Sequence, residues 1–523
     1  MGSKTLPGMP NIPNGWYWAP LSDLCKKVSV GHVGETSSVF CGPEGVTFLR
    51  SQNVRPGRLD LNDVKYVTKA FHEKSKKSQL KTGDILVVRV GQNRGDCAVV
   101  PDNVGEINCA NIVFAQPKDI RYSDYLGYFL NSSFGRTSLL AVSTGSAQGV
   151  LNTKSVAKVV VPVPPIDLAK NIGYRLKLID NKIELNQKTN QTLEQMAQAL
   201  FKSWFIDFDP VFDNLLASVN FNLENLETSL PDELKQKAQR RLAALNSLHN
   251  AAEVKTSLSA LAHELQALSA TQAAVQAAET PVKASLNANP KILAQHANTH
   301  AHFPNEFEHN EQLGWIPKGW GVGVSGDLVD VRDGTHDSPK KSEKGFPLVT
   351  SKHITSGRLD LSAAYLISEL DYKKVNERSN VEYGDILLTM IGTVGVPYLV
   401  MDEPANYAIK NVGLFRTSQN LYLKNYLHIL LKTAHMQAYL NARVAGTTQK
   451  YLSLKVLRNI DFLLPSNIVL EKFNSIVNNM LFKEKSNIDQ INQLTKLRDT
   501  LLPKLISGEL QIPDVITDEE VVD

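Results

Sequence analysis

The sequence predicts an α+β protein. Its parts are two similar β-rich modules, a pair of long antiparallel coiled-coil-like helices that separate them with pseudo-two-fold symmetry, and a helical insert. Three observations predict this. One seam of residues steps alternately by four and three through Ile172, Leu176, Ile179, Ile183, Asn186, Asn190, Leu193, Ala197, Leu200 and Trp204, the pattern of a helix packed along another helix. A second seam, with polar intrusions, runs through Phe473, Val477, Met480, Glu484, Asn487, Ile491, Leu494, Arg498, Leu501 and Leu505. The third observation is an internal repeat at an offset of 300 to 304 residues.

The repeat has five landmarks in one order. Ile316-Pro-Lys-Gly-Trp320 restates Ile12-Pro-Asn-Gly-Trp16. Gly345 to Leu361 restates Gly45 to Leu61, both ending in Gly-Arg-Leu-Asp-Leu. Gly384-Asp-Ile-Leu387 matches Gly83-Asp-Ile-Leu86, and Gly392 matches Gly91. Gly446-Thr-Thr-Gln449 matches Gly145-Ser-Ala-Gln148, and Leu464-Pro465 matches Val161-Pro162. Each copy is a β-rich module followed by a long helix.

In order, residues 1–165 form the first module, with short β-rich runs at Val46 to Leu49, Ile85 to Val90, Ala98 to Val100, Ile112 to Ala115 and Val159 to Val163, parted by Gly and Pro. Tyr122 to Leu140 is its best helix. Pro162 to Pro165 ends the module, because X-Pro bonds favour extended backbone. Residues 166–210 carry the first long helix, opened by an acidic Asp167. Residues 211–312 are a linker with an Ala/Leu-rich helical hairpin over Asp232 to Glu279 that turns near Asn250. Residues 313–466 are the second module, 467–508 the second long helix and 509–523 a flexible tail. His296, His300, His302 and His309 sit among Asn, Pro and Thr, so a solvated loop is expected there rather than a metal site.

Composition bounds the function. At 523 residues the chain is too long for one core. Its net charge of +3 neither demands nor excludes nucleic acid, so local clustering must decide. The four cysteines lack CxxC spacing, and no signal-like segment follows Met1, which implies a reduced, cytoplasmic setting. No apolar run suits a membrane span.

The duplication carries a geometric implication. A helix from Ile172 to Phe205 is about 50 Å long at 1.5 Å per residue. That is long enough to place two readers on successive turns of one DNA duplex, which would be the half-site geometry of a dimer within one chain. Asn186, Asn190 and Asn487 cost stability in the seams but fix register.

At this point the residues resemble a known family, the specificity (S) subunits of type I restriction–modification enzymes, over essentially the whole chain. The motifs that carry the resemblance are Ile-Pro-x-Gly-Trp, Gly-Asp-Ile-Leu and the Gly-x-x-Gln turn, with Leu200-Phe-Lys-Ser-Trp-Phe-Ile-Asp-Phe-Asp-Pro210 after the first module and Leu497-Arg-Asp-Thr-Leu-Leu-Pro-Lys-Leu-Ile-Ser-Gly508 after the second. Phe303 to Phe307 followed by Leu313-Gly314 is similar to the family's approach to its second module. The long stretch from 211 to about 302 departs from the family, and the resemblance gives it no role.

The resemblance implies two target recognition domains that read a split, asymmetric DNA sequence. It implies double-stranded DNA, two methyltransferase subunits and restriction/translocase subunits as partners, and no membrane. Catalysis, S-adenosylmethionine, ATP and Mg belong to those partners, so the chain is expected to be non-catalytic and to hold no cofactor. The sequence agrees: it has no phosphate loop and no nucleophile elbow. Asp84 and Asp385 read as turn residues, not catalytic carboxylates. The alternatives are a self-contained modification or restriction enzyme and a scaffold without a DNA role.

DNA readers are sought where the copies agree in position but differ in side chain, because each copy should read different bases. The turn after Val46 gives Arg50, Gln52 and Asn53 against Lys352 and His353. The segment after Gly-Asp-Ile-Leu gives Arg89, Gln92 and Arg94 against Thr389 and Thr393, and the Gln turns give Gln148 against Gln449 and Lys450. Lys74, Lys76, Lys77, Lys81, Arg332, Lys340 and Lys341 are candidates for phosphate contact. Phe201, Trp204 and Phe205 crowd the end of the first long helix. They are either buried under an adjoining module or offered to a methyltransferase subunit.

Overall fold

The computed structural model describes residues 11–142, 150–226, 230–274 and 299–511. The chain divides into two units: Met1–Lys188 with Asn487–Asp523, and Thr189–Ser486. The long helices Ile166–Phe205 and Asn467–Ser507 each give one half to each unit.

The first unit opens with a tight turn. Trp16 N donates to Pro13 O at 3.2 Å, and Gly15 takes φ +85°, a value that strains any other residue. Tyr17–Pro20 then pairs antiparallel with Val160–Val163, which joins the start of the module to its end. The main sheet runs in the order Cys97–Val99, Ile85–Val88, Ile112–Pro117, Cys25–Val30. Ile85 and Val87 face one core with Tyr125, Phe129, Ile172, Leu176 and Leu505, while Leu86 and Val88 face another with Val54 and Ile107. Burial on both faces explains why Ile85–Val88 is apolar without alternation. A second sheet sets Ile107–Cys109 parallel to Val46–Leu49.

One predicted helix is two. Tyr122 to Leu140 breaks into Ser123–Asn131 and Ser133–Ala141. Ser132 takes extended backbone between them, and its Oγ accepts Gly135 N at 3.1 Å. A Cβ on Gly135 would stand 1.9 Å from Phe129 O, so the corner depends on glycine.

The second unit repeats the plan. Trp320 N donates to Pro317 O at 3.1 Å with Gly319 at φ +78°. Gly321–Val324 pairs with Asp461–Leu464. The main sheet runs Val331–Asp333, Val412–Phe415, Ile386–Thr389, Pro397–Leu399, and Phe346–Val349 pairs parallel with Ala408–Ile409 through Leu348 and Val349.

The helices pair antiparallel in each unit. In the first, Asn186 Nδ2 donates to Gln490 Oε1 at 2.7 Å, and Asp180 meets Arg498 at 2.8 Å. In the second, Asn190 Nδ2 donates to Glu484 O at 3.3 Å, and Phe201 lies 6.0 Å from Phe473. Every seam residue of both helices is buried or half-buried.

The insert belongs to the second unit. Phe208, at φ +60°, reverses the chain into helix Asp209–Ser218. Asp232–Asn246 and Ala251–Ala274 follow as the hairpin. Buried Asp213 receives Arg241 Nε at 2.6 Å, Arg241 NH2 at 2.7 Å and His300 Nε2 at 3.0 Å. Burial pushes this carboxyl up, and the Arg241 and His300 hydrogen bonds overcome that and bring it below its usual range. Asn214 Nδ2 donates to His300 O and Phe303 O. His300 is therefore a half-buried strut rather than a solvated loop residue, and His309 packs on Trp315 at 5.2 Å. His296 lies outside the described residues.

Candidate nucleic-acid interface

In the second unit the loops picked out by the repeat meet. The turn Ser351–His353 follows strand Phe346–Val349. Ser351 Oγ accepts Met390 N at 3.2 Å and Ile391 N at 3.3 Å, which ties this turn to the end of strand Ile386–Thr389. Gly392 N donates to Lys450 O at 3.1 Å, which ties that strand end to the Gln turn. Lys352, Thr393, Gln449 and Lys450 are exposed on these joined loops. Such long polar side chains on irregular backbone suit contact with base edges and phosphates.

The first unit has a related arrangement. Ser51 Oγ donates to Asn111 O at 3.3 Å, as Ser351 Oγ does to Asn411 O at 3.4 Å. Leu151 N donates to Arg89 O at 3.0 Å, just after the stretch that contains Gln148. Gln148 itself lies outside the described residues. Gln92 is exposed, and Arg94 and Arg89 are half-buried.

Several of the expected readers are engaged within the protein. Asn53 is buried: its Oδ1 accepts Arg50 N at 2.9 Å, and its Nδ2 donates to Asp60 O and Asp63 O at 3.0 Å. His353, its counterpart, is also buried, and its Nδ1 accepts Thr350 N at 2.9 Å. Burial pushes the His353 imidazole below its usual range, with Lys352 adding to the effect. Thr389 is buried and its Oγ1 accepts Val396 N at 2.9 Å. These three side chains hold turns together rather than face a ligand. Arg50 and Gln52 are both drawn to Asp63, at 3.4 and 2.7 Å.

The remaining candidates divide in the same way. Lys74, Lys76, Lys77, Lys81, Lys340 and Lys341 are exposed. Arg332 is half-buried between Asp330 at 2.7 Å and Arg378 O at 2.6 Å. Asp84 Oδ2 accepts Lys81 N at 2.9 Å and Asp385 Oδ2 accepts Glu382 N at 2.8 Å, so both lock turns. Burial raises both carboxyls.

Phe201, Trp204 and Phe205 are buried in the second unit, at 1%, 4% and 5% exposure, so these rings offer no docking surface. Phe205 meets Tyr426 at 4.9 Å and Phe473 at 5.0 Å, and Trp204 meets Phe303 at 5.1 Å. The apolar side chains left exposed on the helices are others: Tyr174, Leu178, Leu185 and Leu497 in the first unit, and Met196, Ile468, Ile476 and Phe482 in the second.

A difference between copies does not single out the framework residues Ser51, Ser351, Asn111 and Asn411. They are identical between copies at an offset of 300 residues, and that identity was the available signal. Asn111 and Asn411 take φ +55° and +52°, a conformation that asparagine tolerates better than most residues.

Known proteins share this plan. The family model described as a type I restriction modification DNA specificity domain matches residues 13–195 and again 317–469. The chain is 26% identical over 451 residues to the type I restriction enzyme HindI specificity subunit of Haemophilus influenzae, covering 83% of this chain and 88% of that one. It is 25% identical over 409 residues to the type I restriction enzyme MjaIX specificity subunit of Methanocaldococcus jannaschii, covering 76% and 72%. The fold is similar to the crystal structure of the type I restriction–modification S subunit from M. genitalium, with a TM-score of 0.51 at 14% identity over 96% of this chain and 98% of that one. With both modules matched by the same model, in the same order as the internal repeat, the chain belongs to the type I restriction–modification DNA specificity family.

Proposed function

We propose that this chain is the DNA-specificity subunit of a type I restriction–modification complex, and that it reads a bipartite, asymmetric target with one module per half-site. The observation that carries this reading is the pair of equivalent loop clusters. Ser51 and Ser351 anchor the same turn in both copies, while the exposed side chains around them differ: Gln52 and Gln92 in one, Lys352 and Thr393 in the other. A shared scaffold with different polar side chains suits two readers of different sequences. Residues 1–165 and 313–466 are the proposed recognition domains. Gln52, Gln92, Arg94, Lys352, Thr393, Gln449 and Lys450 are the proposed contacts, with Arg50 and Arg89 in supporting positions.

Methylation, translocation and cleavage are assigned to partners: two methyltransferase subunits, with restriction subunits in the full assembly. The exposed apolar residues on each unit's helix pair support two docking surfaces, one per methyltransferase subunit. They replace Phe201, Trp204 and Phe205 in that role. Among the described residues no helix is long and apolar enough to cross a membrane.

The test is DNA binding by the full chain together with its methyltransferase subunits, measured across salt concentrations. Affinity for target duplex should fall steeply with salt, and by about tenfold for each Lys-mediated phosphate contact per decade of salt. The chain alone should neither bind S-adenosylmethionine nor methylate. Methylation by the isolated chain would overturn the division of labour, and salt-independent binding would overturn the phosphate contacts.

A further inference from the structure

A fourth loop joins the reading cluster of the second unit. It runs from Gly334 to Pro339, after strand Val331–Asp333. Gly334 lies against the neighbouring strand so closely that a Cβ would stand 2.4 Å from Ile409 O. Gly334 N donates to Val412 O at 2.9 Å, and Asn411 N donates to Thr335 O at 3.2 Å. The loop therefore leaves the sheet beside Asn411, the residue to which Ser351 of the predicted reading turn is tied.

His336 makes the connection. One ring nitrogen, Nδ1, meets Asn411 Oδ1 at 2.8 Å, and the other, Nε2, meets buried Asp333 Oδ2 at 3.0 Å. Asp333 is fixed from its other side by Arg378, and Lys410 holds the loop through Ser338. His336 is itself 67% exposed, so its ring bridges these groups at the surface. Between this loop and helix Glu369–Ser379 lies a cleft of about 380 Å³, lined by Thr335, His336, Ser338, Lys374 and Arg378 among others. Hydroxyls, a carboxylate at Asp337 and two long cations are groups that meet base edges and phosphates.

The first unit lacks this device. Gly31 N donates to Ile112 O at 2.8 Å as Gly334 does to Val412 O, which places Val33 where His336 stands. His32, one position earlier, packs on Phe71 at 5.1 Å instead. The backbone frame is shared and the bridge is not, which is the signature expected of an element that serves one half-site only.

We propose that His336 is a specificity-determining positioning residue, which holds the Gly334–Pro339 loop as a fourth DNA-contacting segment of the second module. The inference rests on the proposed reading of that unit as a DNA reader. Without the bridge to Asn411 and Asp333, the loop loses its fixed relation to the turn that carries Lys352.

The experiment sequences methylated bases in cells that carry the full chain and its methyltransferase, with wild type, His336→Ala and His336→Gln compared. His336→Ala should relax one half-site, raising methylation at mismatched bases there by about tenfold, the weight of one good base contact. The other half-site and the spacer should stay as they are. His336→Gln, whose Nε2 can donate to Asp333 while its Oε1 accepts from the Asn411 amide turned over, should keep the wild-type motif. An unchanged motif in His336→Ala overturns the proposal. So does a uniform fall in methylation at an unchanged motif with unaltered melting temperature, because that is lost affinity and not lost discrimination. Relaxation of both half-sites overturns it as well. If His336→Ala does not fold, Asn411→Gly removes the same bridge from its other side while suiting the positive φ, and an unchanged motif there overturns the proposal. A wild-type chain that yields no split motif refutes the proposed function instead.

Discussion

Asn53 and His353 occupy corresponding positions and have the same role: each accepts the backbone N–H three residues before it. The two side chains share nothing but an acceptor at the right reach. Their difference between copies marks them, on sequence alone, as readers of different bases. Whether a polar side chain is spent on its own backbone depends on turn geometry that a residue's identity does not reveal. Lys352, Thr393, Gln449 and Lys450 are exposed and stay candidates for contact, whereas Asn53, His353 and Thr389 are buried in their turns. Asn53→Ala should cost about 2 kcal/mol and His353→Ala about 1 kcal/mol, measured by denaturant unfolding, because buried partners lose their hydrogen bonds. The recognised motif should not change.

The same unfolding measurement carries a pH dependence. Burial lowers His353, and it lowers the fully buried His428 well below the ordinary value of 6.5. The unfolded chain then binds more protons than the folded one, so stability rises with pH in this window. It should be fully present above pH 6.5 and fall as the pH drops below that value. His428→Phe should flatten the dependence.

The helical seams were the most legible elements, because a four-three alternation is a direct imprint of helix packing. All seam residues are buried or half-buried, the polar ones included. What the seam could not show is which apolar residues beside it stay uncovered. Phe201, Trp204 and Phe205 are consumed by Tyr426, Phe473 and Phe303, residues remote in sequence. Tyr174, Leu178 and Leu185 look less notable and are exposed. The clamp of the insert was equally hidden, since Asp213, Arg241 and His300 come together only in the fold. A Leu178→Asp, Leu185→Asp double variant should fold normally but lose methyltransferase co-purification by about a hundredfold, the effect of a charged anchor in an apolar interface. Unimpaired co-purification would move the docking surface elsewhere.

At the scale of the whole molecule, the duplication is the central fact. It was legible because the landmarks keep one order at one offset, and a turn such as Pro13–Trp16 tolerates little change: Gly15 and Gly319 both need positive φ. The four-stranded main sheet repeats in structure as in sequence, while the second sheet has five strands in the first unit and three in the second. On the proposed function, the two copies read two halves of one target and helix length sets the spacer. The most direct test is methylome sequencing of cells that carry the chain with its methyltransferase, for wild type and for a variant with four residues inserted within 183–193. Wild type should give methylated adenine in a split motif with a fixed spacer. The insertion lengthens the helix by about 6 Å and should widen the spacer by about one or two base pairs. A contiguous motif, or a split motif whose spacer does not move, would contradict the account.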